Sequence, residues 1–230
     1  MKRTSSGGEP TKIAISVRAR VAECEALLHA LPDVVDPTFL ERIEKFATTV
    51  ALWGSKINLT ARPDDPEEIA FHVIDSLMPV ILASDKSSIL ADRFSKDRKA
   101  LDLGSGAGFP GLVLASASAS NFTLVESRRK RASFLQVAVA DLGLTNVTIE
   151  SKRAEDVGLA GQYDLVTARA FGDAGEFFAF AERALKPGGI AMLYANPSQR
   201  VALKGCDFIE YGVARRGERI GRILAVQRKT

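Results

Sequence analysis

Three closely spaced glycines, with an acidic residue at the end of the next apolar run, are the residues best suited to hold a ligand. Gly104, Gly106 and Gly108 follow the short apolar segment that contains Asp102, and Glu126 closes the following segment. Glycines permit a tight turn and let backbone N–H groups approach a ligand, because they have no Cβ. A carboxylate at the end of the next strand accepts hydrogen bonds from ribose hydroxyls. The pattern predicts a strand–loop–helix–strand unit that binds an adenosine-type cofactor.

The glycine spacing selects among such cofactors. Dinucleotide-binding loops read G-x-G-x-x-G and place a pyrophosphate at a helix N-terminus. Here the third glycine comes one position earlier and Asp102 precedes the loop, which gives D-x-G-x-G-x-G. This form resembles the first motif of class I S-adenosylmethionine methyltransferases, so the expected cofactor is S-adenosylmethionine. The same spacing disfavours a nicotinamide-dependent oxidoreductase.

Strand-like and helix-like segments alternate from residue 100 onward. Strands are predicted at 100–103, 122–126, 146–150, 163–167 and 189–195, helices at 109–118, 128–142 and 173–185, and a final antiparallel pair at 208–213 and 220–227. Alternation of this kind implies a mostly parallel sheet that is covered on both faces and binds ligands at its carboxyl edge. The predicted fold class is therefore α/β with a Rossmann-like sheet, and the resemblance of the glycine loop implies that it is the class I methyltransferase form of this fold.

The chain before the glycine loop has helical periodicity. One apolar face runs from Val17 to Leu28, a second from Phe39 to Trp53 after an Asp-Pro pair, and a third helix starts near Pro66. We therefore divide the chain into a disordered polar tail at 1–10, an N-terminal helical region at 11–95 and an S-adenosylmethionine-binding domain at 96–230.

The composition is that of a soluble globular protein. The 230 residues are 46% hydrophobic and 26% charged, and the net charge of +3 is compatible with a nucleic-acid partner. Cys24 and Cys206 lie far apart and form no metal-type pair, which favours a reduced, cytoplasmic protein without a metal site. No apolar run reaches the ~18 residues of a membrane helix. We expect a cytoplasmic monomer with no membrane partner.

Several short motifs give a more specific indication. They are Trp53 with Asn58-Leu59-Thr60, His72 with Asp75-Ser76, Gly104 to Gly111, Lys130-Arg131 with Phe134-Leu135, and Arg169-Ala170-Phe171. In this order they resemble the bacterial 16S ribosomal RNA guanine-N7 methyltransferase family, also called glucose-inhibited division protein B. The resemblance implies methyl transfer from S-adenosylmethionine to N7 of a guanine, with 16S ribosomal RNA or the small ribosomal subunit as partner.

The resemblance also implies roles for individual residues. Gly104 and Phe109 match cofactor-binding positions, Ala154-Glu155 matches a pair beside the adenine, and Arg169 matches a catalytic arginine beside cofactor and target base. The glycine motif adds further cofactor-binding candidates, and the remaining motifs and basic residues add candidates for substrate binding. The former are Gly106, Gly108 and Glu126, and the latter are Asn58, His72, Arg128 and Arg131.

Basic residues are concentrated in two places. Arg128, Arg129, Lys130 and Arg131 are consecutive at a predicted helix start, and four arginines lie between Arg215 and Arg222. Such residues neutralise phosphates without reading sequence. Because four consecutive residues span a whole helical turn, they do not all point to one surface.

Other nucleic-acid methylations would need residues that this chain lacks. Transfer to pyrimidine C5 needs a cysteine nucleophile, and neither cysteine follows a strand at the predicted site. Transfer to amino groups uses an Asn/Asp-Pro-Pro-aromatic tetrapeptide after the fourth strand, where this chain has Ala168-Arg169-Ala170-Phe171. Guanine N7 has a lone pair and no proton, so its methylation requires alignment rather than acid–base catalysis.

One motif departs from the family pattern. Family members end the fifth strand with Lys-Gly, whereas this chain has Asn196-Pro197. This strand end borders the substrate side, so two alternatives stay open. They are a methyltransferase of another RNA or of a small molecule, and a non-catalytic RNA-binding module on the same fold.

Overall fold

A seven-stranded mixed sheet forms the centre of the protein. The computed structural model describes residues 9–24, 36–158 and 161–230. The strands are β1 (Lys99–Leu103), β2 (Asn121–Val125), β3 (Val147–Glu150), β4 (Tyr163–Arg169), β5 (Leu185–Ala195), β6 (Asp207–Arg215) and β7 (Glu218–Arg228). Their order is β3-β2-β1-β4-β5-β7-β6, with β1 to β5 parallel and β7 antiparallel to both its neighbours. The predicted α/β class is confirmed.

Helices cover the sheet and precede it in the chain. They are α1 (Glu9–Glu23), α2 (Phe39–Ile57), α3 (Pro66–Leu82), α4 (Gly111–Ala117), α5 (Arg129–Leu142) and α6 (Ala174–Ala184), with 3-10 turns at Ala154–Asp156 and Pro197–Ala202. The first helix begins at Glu9, inside the segment that we assigned to the tail. Residues 1–8 and the predicted helical positions Leu27 and Leu28 lie outside the described residues.

The start of β5 differs from the prediction. The strand begins at Leu185 rather than at residue 189, because Leu185 is buried and pairs with Tyr163. The register then shifts before Leu165 pairs with Ile190, and this irregularity absorbs the Pro-Gly-Gly segment that suggested a later start. The preceding helix, predicted to reach 185, accordingly ends at Ala184.

Strand register brings the predicted site residues to one edge of the sheet. Leu103 of β1 pairs with Val125 of β2 and with Ala168 of β4, and Arg169 pairs with Tyr194 of β5. The residues that follow these strands therefore emerge at the same level, because parallel strands end together at the carboxyl edge of a sheet.

The N-terminal helices and one face of the sheet share a hydrophobic core. Phe46 of α2 lies 5.2 Å from Phe109 and 6.5 Å from Phe134 of α5, measured between ring centroids. Buried residues of α1 and α3 belong to the same cluster. The other face packs on α6 through Phe177 and Phe180. The helical region is thus joined to the sheet by apolar packing.

The described residues contain neither a helix suited to span a membrane nor a cluster of potential metal ligands. No helix in them combines the length and apolarity required to cross a bilayer. They also contain no group of three or more potential metal ligands among histidine, cysteine, aspartate and glutamate side chains.

Candidate active site

The glycine loop joins β1 to α4 through three left-handed residues. The φ angles of Gly104, Gly106 and Gly108 are +67°, +56° and +87°. A Cβ built at Gly104 would meet no protein atom within 4 Å, whereas one at Gly108 would lie 2.6 Å from Cδ1 of Leu112. Gly104 therefore faces open space, and Gly108 is required for packing at the start of α4.

Glu126 connects this loop to the following helix. Its side chain is buried, and its Oε2 accepts a hydrogen bond of 2.9 Å from the Gly106 N–H while its Oε1 accepts one of 2.7 Å from the Arg128 N–H. Each carboxylate oxygen has a second lone pair. Glu126 thus braces the loop and keeps acceptor capacity for a ligand hydroxyl.

Asp102 lies beneath the loop in an apolar setting. It is fully buried, and its two carboxyl oxygens have no hydrogen-bond partner among the described residues. The Ser105 hydroxyl donates a 3.1 Å hydrogen bond to the Asp102 backbone carbonyl, and the Gly111 N–H lies near its carboxyl group. Burial raises the pKa of Asp102 to about 7, although these two groups and Arg169 oppose the increase.

Three adjoining recesses lie at the carboxyl edge. The loop recess, about 210 Å³, is lined by residues that include Thr60, His72, Gly104, Phe109, Arg131 and Arg169. The turn recess, about 200 Å³, is lined by residues that include Gly104, Val125, Ala154, Glu155 and Phe171. The β5 recess, about 450 Å³, is lined by residues that include Arg169, Phe171, Asp173, Tyr194, Asn196 and Arg222. Gly104, Phe171 and Arg169 each line two of the recesses, which therefore form one groove.

Arg169 occupies the junction of the loop and β5 recesses. Its Nη1 lies 3.2 Å from Nδ1 of His72 and 3.6 Å from Oδ2 of Asp75, and its guanidinium lies 5.1 Å from the centroid of the Phe109 ring. Within the described part of the chain, Nε and Nη2 have no hydrogen-bond partner. The next residue, Ala170, has a φ of +54°, which is strained for a residue with a Cβ.

His72 is a neutral hydrogen-bond acceptor in this site. Burial, together with the charges of Arg169, Arg215 and Arg222, lowers the pKa of His72 to about 3. Because a guanidinium only donates, Nδ1 accepts from Arg169 and the ring proton is on Nε2, which lies 3.4 Å from Oε1 of Glu68. His72 is therefore not a cationic proton donor near neutral pH.

The other candidates for substrate binding lie at the mouth of the groove. Asn58 ends α2 in a left-handed conformation, and its carbonyl oxygen accepts a 2.9 Å hydrogen bond from Nη2 of Arg131. The Arg128, Arg129 and Lys130 side chains are exposed and form no ion pair with any described residue. The mouth therefore carries three unpaired positive charges, beside Arg131, whose guanidinium is hydrogen-bonded to the Asn58 carbonyl.

Most of the C-terminal arginines form ion pairs within the protein. Arg215 pairs with Glu68, Arg216 with Asp65 and Arg222 with Asp75. These acids belong to α3 or its N-cap, which faces β6 and β7. Each of these three guanidinium groups is already paired with a carboxylate. These arginines are therefore not available to bind phosphates, contrary to the expectation from the sequence.

The structure brings most of the predicted site residues to the lining of this one groove. Gly108 instead packs against Leu112, and Glu126, Asn58 and Arg128 only adjoin or contact residues of the lining. Sequence reasoning assigned no role to Tyr211 and treated Arg222 only as one of the C-terminal basic residues, whereas both bind Asp75 from the C-terminal strands. The spacing of Asp75 three residues after His72 was the available signal, because it places both side chains on one helical face.

Comparison with solved structures supports the fold. The tRNA (m1A58) methyltransferase TrmI of Aquifex aeolicus matches 69% of this chain and 68% of its own with a TM-score of 0.51 and 12% identity. A SAM-dependent O-methyltransferase of Thermotoga maritima matches 68% of this chain and 64% of its own with a TM-score of 0.50 and 16% identity. The chain thus has the class I methyltransferase fold.

Curated proteins named ribosomal RNA small subunit methyltransferase G are more similar in sequence. The protein of Acidiphilium cryptum is 41% identical over 65% of this chain and 65% of its own length. That of Wolinella succinogenes is 39% identical over 59% of this chain and 64% of its own. The Coxiella burnetii protein is 33% identical over 75% and 79%, respectively. The alignments thus span slightly less than two thirds of the first two relatives.

A family model places the chain more directly. The model of GidB, described as rRNA small subunit methyltransferase G, matches residues 39–205. This segment contains α2, α3, the glycine loop, all five parallel strands and the turn after β5. The chain belongs to the GidB family, rRNA small subunit methyltransferase G.

Proposed function

We propose that the protein transfers a methyl group from S-adenosylmethionine to N7 of a guanine in 16S ribosomal RNA. Family membership supports this activity. The observation that carries it is the groove in which Gly104, with its open left-handed backbone, and Arg169, with its unused donors, line adjoining recesses. A glycine-rich loop that served only as a turn would not need these recesses beside it.

The residues of the two smaller recesses fit this cofactor. The turn recess has apolar walls from Val125, Ala154 and Phe171 and a carboxylate from Glu155, a combination suited to an adenine ring. Glu126 at the end of β2 would accept from the ribose, as the sequence predicts. The loop recess offers the glycine backbone and the free donors of Arg169, which suit a carboxylate.

The chemistry requires the protein to align its ligands rather than to move protons. The bound cofactor would supply an electrophilic methyl group on its sulfonium. Guanine N7 has a lone pair and no proton, so no general base is required, and the neutral state of His72 is compatible with that requirement. The protein's tasks are then to hold the two ligands in contact and to exclude water.

The β5 recess would receive the target guanine. Phe171 at its border offers an aromatic face for stacking, and Asp173 is its acidic lining residue. A carboxylate near the purine favours the positive charge that N7 methylation creates. Because a paired base cannot enter such a recess, the target guanine is unpaired or flipped out of its helix.

The acceptor RNA would approach across the start of α5. Arg128, Arg129 and Lys130 are exposed and unpaired within the described residues, so they are available to phosphates. Asn58 and Arg131 would form the adjacent rim. We further propose that the protein is a cytoplasmic monomer whose partner is the small ribosomal subunit or its RNA. Its helical region, up to residue 95, would be attached to the catalytic domain.

Mass mapping of 16S ribosomal RNA tests this proposal. RNA from cells lacking the gene should lack one N7-methylguanine, and the purified protein with S-adenosylmethionine should restore it on naked RNA or on small subunits. Gly106→Val serves as the matched inactive control. Methylation of a different RNA would support the alternative of a methyltransferase with another substrate. RNA binding that needs no cofactor and leads to no methylation would support a non-catalytic RNA-binding module.

A further inference from the structure

Asp75 is a buried carboxylate that accepts three hydrogen bonds and has no part in the roles described above. It lies on α3 with 1% of its side chain exposed. Its Oδ1 accepts hydrogen bonds of 2.7 Å from the Tyr211 hydroxyl and 3.0 Å from Nε of Arg222, and its Oδ2 accepts one of 3.2 Å from Nη2 of Arg222. The same Oδ2 lies 3.6 Å from Nη1 of Arg169.

Two of these partners come from the end of the chain. Tyr211 belongs to β6 and Arg222 to β7, and both lie beyond residue 205, where the match to the family model ends. The third partner, Arg169, ends β4 and lines two recesses of the groove. Asp75 therefore connects a C-terminal hairpin to the arginine at the centre of the site.

We propose that Asp75 is a positioning residue that fixes the Arg169 guanidinium, and that the β6–β7 hairpin completes the active site by holding Asp75 in place. The inference deepens the proposed function and rests on it for its catalytic consequence. It assigns to Tyr211 and Arg222 a role in catalysis that is exerted through Asp75.

An arginine side chain has many rotamers and takes a fixed position only where partners hold it. Arg169 has several rotatable bonds, and His72, a neutral acceptor, is its one hydrogen-bond partner among the described residues. Asp75 supplies the nearest negative charge, and without it the guanidinia of Arg169 and Arg222 would repel each other in a buried setting. Arg169 would then turn toward solvent, and its free donors would leave the junction of the recesses.

Asn196 extends this arrangement to the substrate side. Its Oδ1 accepts from Nη1 of Arg222, and its backbone N–H donates to Oε1 of Gln199 over 2.8 Å. Arg222 is thereby bound to Asp75 on one side and to the lining of the β5 recess on the other. The residue that departs from the family pattern after β5 therefore has a structural partner in this chain.

Two separate measurements test the proposal. One reports how rigidly the Arg169 side chain is held, and the other reports its contribution to kcat. Nitrogen-15 NMR of the Arg169 side chain should show slow guanidinium rotation in the parent protein and averaged signals in Asp75→Asn. The same variant should lose about tenfold in kcat, with a smaller change in KM for RNA. In a double variant with Arg169→Lys, the Asp75 substitution should add less than twofold, because its effect passes through Arg169.

Arg216→Gln is the matched control, because it also breaks an ion pair between the hairpin and the start of α3, that with Asp65. It should leave kcat and the Arg169 signals unchanged. Tyr211→Phe removes one hydrogen bond to Asp75 and keeps every charge, so it gives a milder test should Asp75→Asn fail to fold. It should lower kcat severalfold and broaden the same signals.

Two results would overturn the proposal. One is an Asp75→Asn or Tyr211→Phe protein in which the Arg169 signals are unchanged, and the other is a loss of kcat that is equally large in the Arg169→Lys background. The NMR measurement needs no methyl transfer. A parent protein that methylates no ribosomal RNA would therefore refute the proposed function and leave the role of Asp75 to be decided by the NMR signals.

Discussion

At the scale of single residues, the three glycines of one loop serve different purposes. All have positive φ angles, so each tolerates a side chain poorly. Their surroundings differ, because the space beside Gly104 is open, that beside Gly106 is bordered by Arg131 at 3.8 Å, and that beside Gly108 is filled by Leu112. Within one sequence motif, Gly104 therefore leaves room for a ligand, whereas Gly108 leaves room for the Leu112 side chain.

This difference predicts distinct results for two alanine substitutions. Gly106→Ala should lower S-adenosylmethionine affinity tenfold or more by calorimetry and cost about 1–2 kcal/mol of stability through backbone strain. Gly108→Ala has the same strain plus overlap with Leu112, so its melting temperature should fall further while cofactor affinity changes only severalfold. The assignment of Gly106 to the cofactor would be wrong if both variants bound it equally well.

Asp102 predicts a pH dependence of stability. Its pKa is raised to about 7 in the folded protein and is about 3.9 when unfolded, so the folded state holds this proton more tightly. The contribution of this proton to the free energy of unfolding is fully present below about pH 4 and is lost as the pH rises through 7. Relative to Asp102→Asn, the parent protein should lose roughly 4 kcal/mol in free energy of unfolding between pH 4 and 8.

Denaturant unfolding at a series of pH values measures this difference. Asp164→Asn is the control, because hydrogen bonds from the Lys99 N–H, Lys186 and Arg98 outweigh partial burial and lower the pKa of Asp164. The Asp164 contribution is present above pH 4 and should not change between pH 5 and 8. Parallel curves for the parent and Asp102→Asn would show that Asp102 ionises normally.

At the scale of elements, the start of α5 is the basic segment that remains available to RNA. Three of the four C-terminal arginines are paired with acids at α3, and Arg131 binds the Asn58 carbonyl. Arg128, Arg129 and Lys130 are exposed, without a carboxylate partner in the described structure. The structure thus separates two basic clusters that look equivalent in sequence.

Replacing Arg128, Arg129 and Lys130 together by serine should therefore weaken RNA binding and reduce its salt dependence. Each neutralised phosphate contributes a slope of about −0.7 in a plot of log affinity against log salt for single strands. The triple variant should lose about two such contributions and keep its affinity for S-adenosylmethionine. As the control, Arg215→Ser with Arg216→Ser should leave the slope unchanged, and an equal effect of both sets would contradict the distinction.

The elements also show how far sequence reasoning reached. The alternation of strands and helices, the glycine loop and Glu126 were predictable, because each depends on residues close together in the chain. The contact of Asp75 with Arg222 was not, since it joins residues 147 positions apart. The start of β5 was missed because pairing of Leu185 with Tyr163 overrides the local turn signal of Pro-Gly-Gly.

At the scale of the whole molecule, the sheet and the N-terminal helices depend on each other. Phe46 of α2 packs against Phe109 beside the glycine loop and against Phe134 of α5. The Tyr194 hydroxyl of β5 donates a 2.8 Å hydrogen bond to the Ser76 carbonyl of α3. Both contacts cross the boundary at residue 95, and α3 also supplies His72 and Asp75 to the groove.

This dependence predicts that the full chain unfolds in one cooperative transition. Calorimetric and van't Hoff enthalpies should agree, and far-UV circular dichroism and tryptophan fluorescence should give one midpoint, with Trp53 of α2 reporting on the helical region. A fragment of residues 96–230 should lack a cooperative transition, because removing α2 and α3 exposes an apolar face of the sheet. An independently stable fragment that binds S-adenosylmethionine would instead show that residues up to 95 form a separate appendage, and that the groove is built by the sheet domain alone.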